Sequence, residues 1–256
     1  MRTSSLTRIA LLDELRGFCV LLMVIFHALF TFGYLLGIGF CKRLFLFFMP
    51  LEPLFAGVFI FLCGLCCVFS RNNLKRGLLL AAVAAGVSLV MAIGFSDEPI
   101  WFGVLHLLSV CILLYAAIAP LLRRVPVWLG VVVCAVLFVL CWNIPSQYEN
   151  GYFGIAGVWT LPVPTTLIRR PWLYPLGLGR IDGVQGDYFP LLRWIFCFFA
   201  GNFIGRPIAN GALPAWTYRS HIPPFSFLGR HALAIYILHQ PLIYGVGMTL
   251  NSLLGR

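Results

Sequence analysis

Long apolar stretches separated by short charged intervals set the pattern of this chain. Stretches without Asp, Glu, Lys or Arg occupy 17–40, 53–70, 77–96, 99–122, 125–148 and 231–255. Each is near or above the length of about 18–20 residues that crosses hydrocarbon as a helix. A seventh stretch, 188–205, has the same length and apolarity but carries Arg193. The pattern therefore predicts an all-α, polytopic membrane helix bundle of about seven transmembrane helices. The run "LFLFFMP" at 44–50 is too short to cross and ends at Pro50, so it is expected to lie at the interface or to re-enter. Asp13 and Glu14 precede the first run, and that run is long, which argues against a cleaved signal peptide. No linker divides the chain and its two halves show no repeat, so one domain over 1–256 is expected. The segment 145–187 stands apart, because its prolines, glycines and aromatics break helices; it predicts an ordered, irregular cap with a short helix.

Composition strengthens the membrane reading. Hydrophobic residues make up 61% of the 256 positions, charged residues only 10%, and the mean hydropathy is +0.96. The net charge of +10 does not point to nucleic acid, because the basic residues are spread over loops with no dense tract. Topology explains them better. With a cytoplasmic N-terminus, eleven of the 18 basic residues fall on the inner side, whereas Asp97, Glu98, Glu149, Asp182 and Asp187 fall outside. The positive-inside tendency then gives N-in and C-out. Most of the nine cysteines fall inside the apolar runs, where they act as small hydrophobes.

Against that background the ionisable groups inside the runs stand out. On a helix of about 100° per residue, Arg16 and His27 lie about 20° apart on one face, separated by a rise of about 16 Å. Asp13, three residues before Arg16, shares the stripe and can pair with it. "FGVLHLLSV" places His106 in the fourth span with Ser109 at i+3, and "AIYILHQPLIYG" gives the last span Tyr236, His239, Gln240 and Pro241. Asp187 stands at the entry of the sixth span, ahead of Arg193. Three histidines in three spans, with Asp187 and Arg193, are most simply explained by a shared polar cavity, since intramembrane ionisable residues usually mark a site or pathway. His221 and His231, in a Pro-rich loop and at a helix start, read as structural. No local pair of histidines preorganises a zinc site, and no metal is expected. The aromatics of the cap, Trp159 and Trp172 among them, fit either an interfacial belt or a sugar-stacking surface.

Five segments carry a family resemblance. "RIALLDELRGFCVLLMVIFH" (8–27) resembles the N-terminal motif of the transmembrane acyltransferases, most closely the bacterial relatives of heparan-alpha-glucosaminide N-acetyltransferase. Its Arg-x10-His spacing is similar to the signature helix of acyltransferase type three proteins. "FIFLCGLCCVFSRNNLKRG" (59–77), "FGVLHLLSV" (102–110), "DYFPLLRWIFCFFAGNFIGR" (187–206) and "FLGRHALAIYILHQPLIYG" (227–245) resemble later motifs of the same family in the same order. The resemblance implies transfer of an acetyl group from cytoplasmic acetyl-CoA to a hydroxyl or amine of a sugar- or glycan-type acceptor reached from the other side of the cell membrane. It does not carry over the acceptor's identity. On that reading Asp13, Arg16, Lys75, Arg76, Arg123 and Arg124 serve the donor. His27 is the general base, or alternatively the carrier of an acetyl-histidine intermediate. His106, His239 and Asp187 complete the catalytic set by orienting the acceptor or holding the oxyanion, and Gln240, Arg193, Tyr236, Trp159 and Trp172 contact the acceptor. Membrane lipid and the acceptor are the expected partners, with a homodimer left open.

Two non-enzymatic readings stand beside this one, a small permease with a His/Asp proton relay and a non-catalytic membrane subunit. The charge asymmetry yields the first prediction. A reporter fused after Arg256 should be active on the outer side only, and activity confined to the cytoplasm would reject N-in, C-out.

Overall fold

The computed structural model describes residues 8–94, 100–144, 152–168, 170–179, 187–211 and 213–253. Parts of the cap, including Pro145 and Glu149, and the acids Asp97, Glu98 and Asp182 lie outside the described residues. The helices gather into two compact units, one from residues 1–59 and 213–256 and the other from 60–212.

Among the described residues, five helical segments are long and apolar enough to cross a membrane: 10–34, 39–67, 73–93, 104–122 and 232–253. A sixth apolar helix, Val127–Leu140, has 14 residues. The helix over the Arg193 run, Leu191–Ala209, has 19. Every predicted apolar run is helical through most of its length, and the chain is a multi-pass membrane helix bundle.

The first unit is built on α1 (Ala10–Tyr34). This helix starts seven residues before the apolar run, so Asp13, Glu14 and Arg16 are helical. After a turn at Gly37, which holds a left-handed φ of 65°, α2 (Gly39–Phe48) packs back on α1. Gly33 meets the backbone of Lys42 there, and Phe45 lies against Phe26, Phe30 and Tyr34. The 44–50 run does not stop at Pro50. A 3-10 turn, Met49–Leu51, carries the chain straight into α3 (Glu52–Cys67), because a proline in a first helical turn forfeits only an N–H that has no intrahelical partner. The same rule corrects the Pro-rich loop. Pro223 and Pro224 open a helix, α9 (Pro223–Arg230), which leads through His231 into α10 (Ala232–Leu253).

The helices α1 and α9 cross at backbone contact. A Cβ on Gly17 would come within 2.0 Å of the Phe225 carbonyl oxygen, and one on Gly229 within 1.8 Å of the Asp13 carbonyl oxygen. Small residues at such crossings let dispersion contacts and polar bonds act at short range, which matters where lipid removes the hydrophobic drive between helices.

The second unit takes the end of α3 with α4 (Asn73–Gly94), α5 (Val104–Leu122), α6 (Val127–Leu140) and α8 (Leu191–Ala209). Gly64 on α3 and Gly201 on α8 repeat the close crossing, facing the carbonyl oxygens of Phe198 and Phe61 at 1.9 and 2.0 Å from a notional Cβ. Phe198, Leu107, Cys111 and Ile112 are fully buried in this core. None of the nine cysteines, all of them described, forms a disulfide.

The cap is not wholly irregular. Strands β1 (Tyr152–Ile155) and β2 (Trp159–Pro162) form an antiparallel hairpin, with Tyr152 opposite Pro162 and Ile155 opposite Trp159. A helical turn, α7 (Thr165–Ile168), and a 3-10 turn, Pro171–Leu176, follow. Tyr174 and Tyr188 stack at 4.2 Å, and Tyr188 Oη donates to the Tyr174 carbonyl at 2.7 Å. Burial pushes both phenols above their ordinary range, so they act as hydrogen-bonding rings and not as acids.

Overpacking is the expected result of adding a methyl at the α1–α9 crossing. Gly17→Ala and Gly229→Ala should each lower stability by roughly 2 kcal/mol. Gly86→Ala, with nothing near its added carbon, should raise it by about 0.5–1 kcal/mol through helix propensity. Thermal melting of the three variants in one detergent checks the contrast.

Candidate active site

The anchor of the first unit is an acid that sequence reasoning passed over. Glu14 is buried, 6% exposed. Its Oε1 accepts from the Ser220 hydroxyl at 2.8 Å, the His221 N–H at 2.7 Å, the Ile222 N–H at 2.8 Å and the Ser226 hydroxyl at 3.1 Å. The two N–H groups precede α9, whose first two helical residues are prolines and offer none. A carboxylate brought by α1 thus caps the start of α9, where negative charge also suits the helix dipole. Asp13 pairs chiefly with Arg8, which the sequence reading did not invoke, and more loosely with Arg16 at 3.7 Å.

Two further groups that the sequence singled out meet in the same unit. His27 on α1 and His239 on α10 have ring centroids 5.0 Å apart. Gln240 Nε2 lies 3.1 Å from His27 Nδ1, and His239 Nδ1 lies 2.7 Å from the Tyr236 carbonyl oxygen. With both rings neutral and the amide in this orientation, each bond goes with one tautomer. An amide NH2 only donates, so His27 Nδ1 accepts and its proton sits on Nε2. A carbonyl only accepts, so His239 Nδ1 carries the proton and its lone pair lies on Nε2. The pair thus presents one N–H and one basic nitrogen. The Tyr236 ring lies 5.5 Å from that of His239.

His106 belongs to the second unit, where its ring caps α5. The Gly103 N–H donates to Nδ1 at 3.3 Å, and Nε2 lies 3.3 Å from the Ser88 hydroxyl, which donates to the Ile100 carbonyl at 2.6 Å. Ser109 bonds the His106 backbone carbonyl and not its ring. The Asp187 carboxylate packs against Gly103 at the same helix start. Arg193 lies over the Trp142 ring at 3.3 Å and beside Trp194 at 5.0 Å, a cation held on π faces. Trp159 and Trp172 are exposed on the cap. Lys75, Arg123 and Arg124 are exposed at helix ends, and Arg76 is half-buried. His221 and His231 bond nearby backbone carbonyls, consistent with structural roles. Among the described residues no three His, Cys, Asp or Glu side chains are grouped to hold a metal.

In a multi-pass membrane helix bundle, His27 of α1 and His239 of α10 thus meet ring to ring, beside a buried carboxylate that joins α1 to the start of α9. The family model of the heparan-alpha-glucosaminide N-acetyltransferase catalytic domain matches residues 8–241. The chain belongs to that family, and with it to a class of membrane acetyltransferases. No curated protein and no solved structure matches it.

The clamp is testable by itself. Glu14→Ala strands the donors around Oε1 and should cost about 2–3 kcal/mol, as loss of hydrogen bonds to a charged group does. Ser226→Ala, which removes one of four donors, should cost less than half as much. Equal melting temperatures for Glu14→Ala and wild type would remove the clamp from the account.

Proposed function

We propose that this protein transfers an acetyl group from acetyl-CoA to a hydroxyl or amine of a sugar-type acceptor across the cell membrane, with seven spans arranged N-in and C-out. The observation that carries the reading is the His27–His239 pair with its opposed tautomers, in a chain of an acetyltransferase family. Hydrogen bonding favours a division of labour other than the one expected from the sequence. His239 Nε2 takes the proton of the acceptor as its oxygen or nitrogen attacks the thioester carbonyl. His27 Nε2–H, oriented by Gln240, donates to the oxyanion of the tetrahedral intermediate. Collapse breaks the carbon–sulfur bond, and the departing thiolate receives the proton from the His239 imidazolium. The products are acetylated acceptor and coenzyme A, and His239 returns to its starting state.

Donor binding falls to the basic residues Arg16, Lys75, Arg76, Arg123 and Arg124, whose charges suit a polyanionic nucleotide. Arg193, Trp159 and Trp172 are offered to the acceptor, and Asp187 and His106 support that side. The buried setting of His239 supports the mechanism, since a base shielded from water acts on a bound acceptor without competing hydrolysis.

Membrane vesicles given radiolabelled acetyl-CoA, with lipid and glycan fractions analysed for label, test transfer. His239→Ala should lower the single-turnover rate by roughly two to four orders of magnitude, the usual worth of a general base. His27→Ala should lower it by roughly two to three, the worth of one oxyanion donor, with donor binding nearly intact for both. Near-normal transfer by either folded variant would sink its assigned role. Substrate flux without consumption of acetyl-CoA would replace the enzyme by a permease.

A further inference from the structure

The helices of the second unit do not share one length. α4 and α5 have 22 and 19 residues, rises of about 33 and 28 Å, which suit a hydrocarbon layer of about 30 Å. α6 has only 14, a rise of about 21 Å. Pro126 stands before its first turn. At its far end the Trp142 N–H donates to the Val139 carbonyl and the Ile144 N–H to the Cys141 carbonyl, closing the helix in a turn.

The neighbour of α6 repeats this height. α8 has 19 residues, but Arg193 and Arg206 bracket its apolar part thirteen residues apart, about 20 Å along the axis. Both cations are tied to the ends of α6. The Arg193 guanidinium lies 3.3 Å from the centre of the Trp142 ring. That of Arg206 donates to the carbonyls of Leu122 at 3.3 Å, Arg123 at 3.1 Å and Val125 at 2.8 Å, just before α6 begins.

One face of α6 is apolar and open. Trp128, Val132, Val136 and Val139 are exposed at spacings of four, four and three residues, which is one stripe of a helix. The opposite face is closed, since a Cβ on Gly130 would fall 2.3 Å from the Phe203 ring. Trp128 and Trp142, both exposed, stand at the two ends of α6, about 21 Å apart in rise. Tryptophan favours the boundary between membrane and water.

A hydrophobic surface shorter than the bilayer is accommodated by thinning of the bilayer, by flanking side chains that reach outward, or by association with another copy. Tilting would shorten it further. Reaching outward is closed to Arg193 and Arg206 by their ties to the ends of α6. Helices that associate in lipid favour small residues at the contact, whereas this stripe presents a tryptophan and three valines, and Gly130 is taken by Phe203.

We propose that the α6 face of the second unit gathers lipids with short acyl chains and thins the bilayer beside it to about 20–25 Å of hydrocarbon, the height that α6 and α8 share. Its partner is thus a lipid of defined chain length. The membrane setting alone supports this, and neither the histidine pair nor the acetyl donor enters it.

The test uses the full chain labelled with fluorotryptophan, in bilayers of equal parts dimyristoleoyl- and dierucoyl-phosphatidylcholine. A headgroup nitroxide is placed on one lipid or the other, and fluorine NMR reads the broadening of each tryptophan signal, assigned by single Phe substitutions. Trp128 and Trp142 should be broadened about threefold more by the short-chain label, a preference of the order that a mismatch of several Å produces. Trp101, exposed just ahead of the longer α5, should respond about equally to both labels. Arg193→Leu, which lengthens the apolar part of α8, should bring the preference at Trp142 close to that at Trp101. The wild-type contrast stands whether or not that variant folds. Equal responses at Trp128, Trp142 and Trp101 would overturn the proposal. So would a Trp128 signal untouched by either label together with cross-linked dimers, which would give the face to a second copy of the chain. No outcome depends on whether acetyl transfer is detected.

Discussion

A carboxylate buried at a membrane boundary must be met by donors, and the way Glu14 is met governs the first unit. Its four partners come from residues 220–226, so the bonds form only if α1 and the start of α9 touch along their backbones. Gly17 and Gly229 permit that approach, each sitting where a Cβ would enter a carbonyl of the other helix. The acid and the glycines are one device. The acid without the glycines cannot reach its donors, and the crossing without the acid leaves the N–H groups of His221 and Ile222 unsatisfied. The consequence reaches the histidines. Thirteen residues separate Glu14 from His27 along α1, a rise of about 20 Å, and thirteen separate Ser226 from His239 along α9 and α10. Locking one end sets the register at which His27 and His239 meet.

Burial of charge is resolved in a different way at each position. Asp13 is balanced by guanidinium groups, Glu14 by backbone and hydroxyl donors, and Arg193 partly by the faces of Trp142 and Trp194. Arg206 turns to the carbonyls at the end of a helix, where cations are favoured.

Much of this was legible in the sequence, for identifiable reasons. Apolar runs of spanning length become helices because lipid leaves the backbone no other way to satisfy its polar groups. His27 and His239 stood out because ionisable groups are rare in such runs, and the structure brings those two together. His106 stood out equally, yet its ring bonds the start of its own helix. A sequence displays an ionisable group without displaying its partner. Glu14 went unread because the neighbouring Asp13–Arg16 pair already gave the local acids a purpose, and its own partners are more than 200 residues away. Helix α9 went unread because Pro223 and Pro224 were weighed as breakers, whereas at a helix start they forfeit nothing. The resemblance to the N-acetyltransferase family was carried by five ordered segments, and the family match spans all but the last of these in full.

The same distinction bears on which histidine is the base. Depth and helical face singled out His27 from sequence, but neither says which nitrogen holds the proton. That is decided by the partner of Nδ1, an amide NH2 for His27 and a backbone carbonyl for His239. Pro241 brings no N–H to the carbonyl of Ile237, next along the helix from the Tyr236 carbonyl that His239 Nδ1 bonds. In lipid such a break would be costly; beside two imidazoles and an amide it supplies room for polar groups to reorient. On the proposed mechanism the role of His239 as base therefore depends on the backbone of α10 as much as on the imidazole, because the Tyr236 carbonyl accepts from Nδ1–H and so leaves the lone pair of the neutral ring on Nε2.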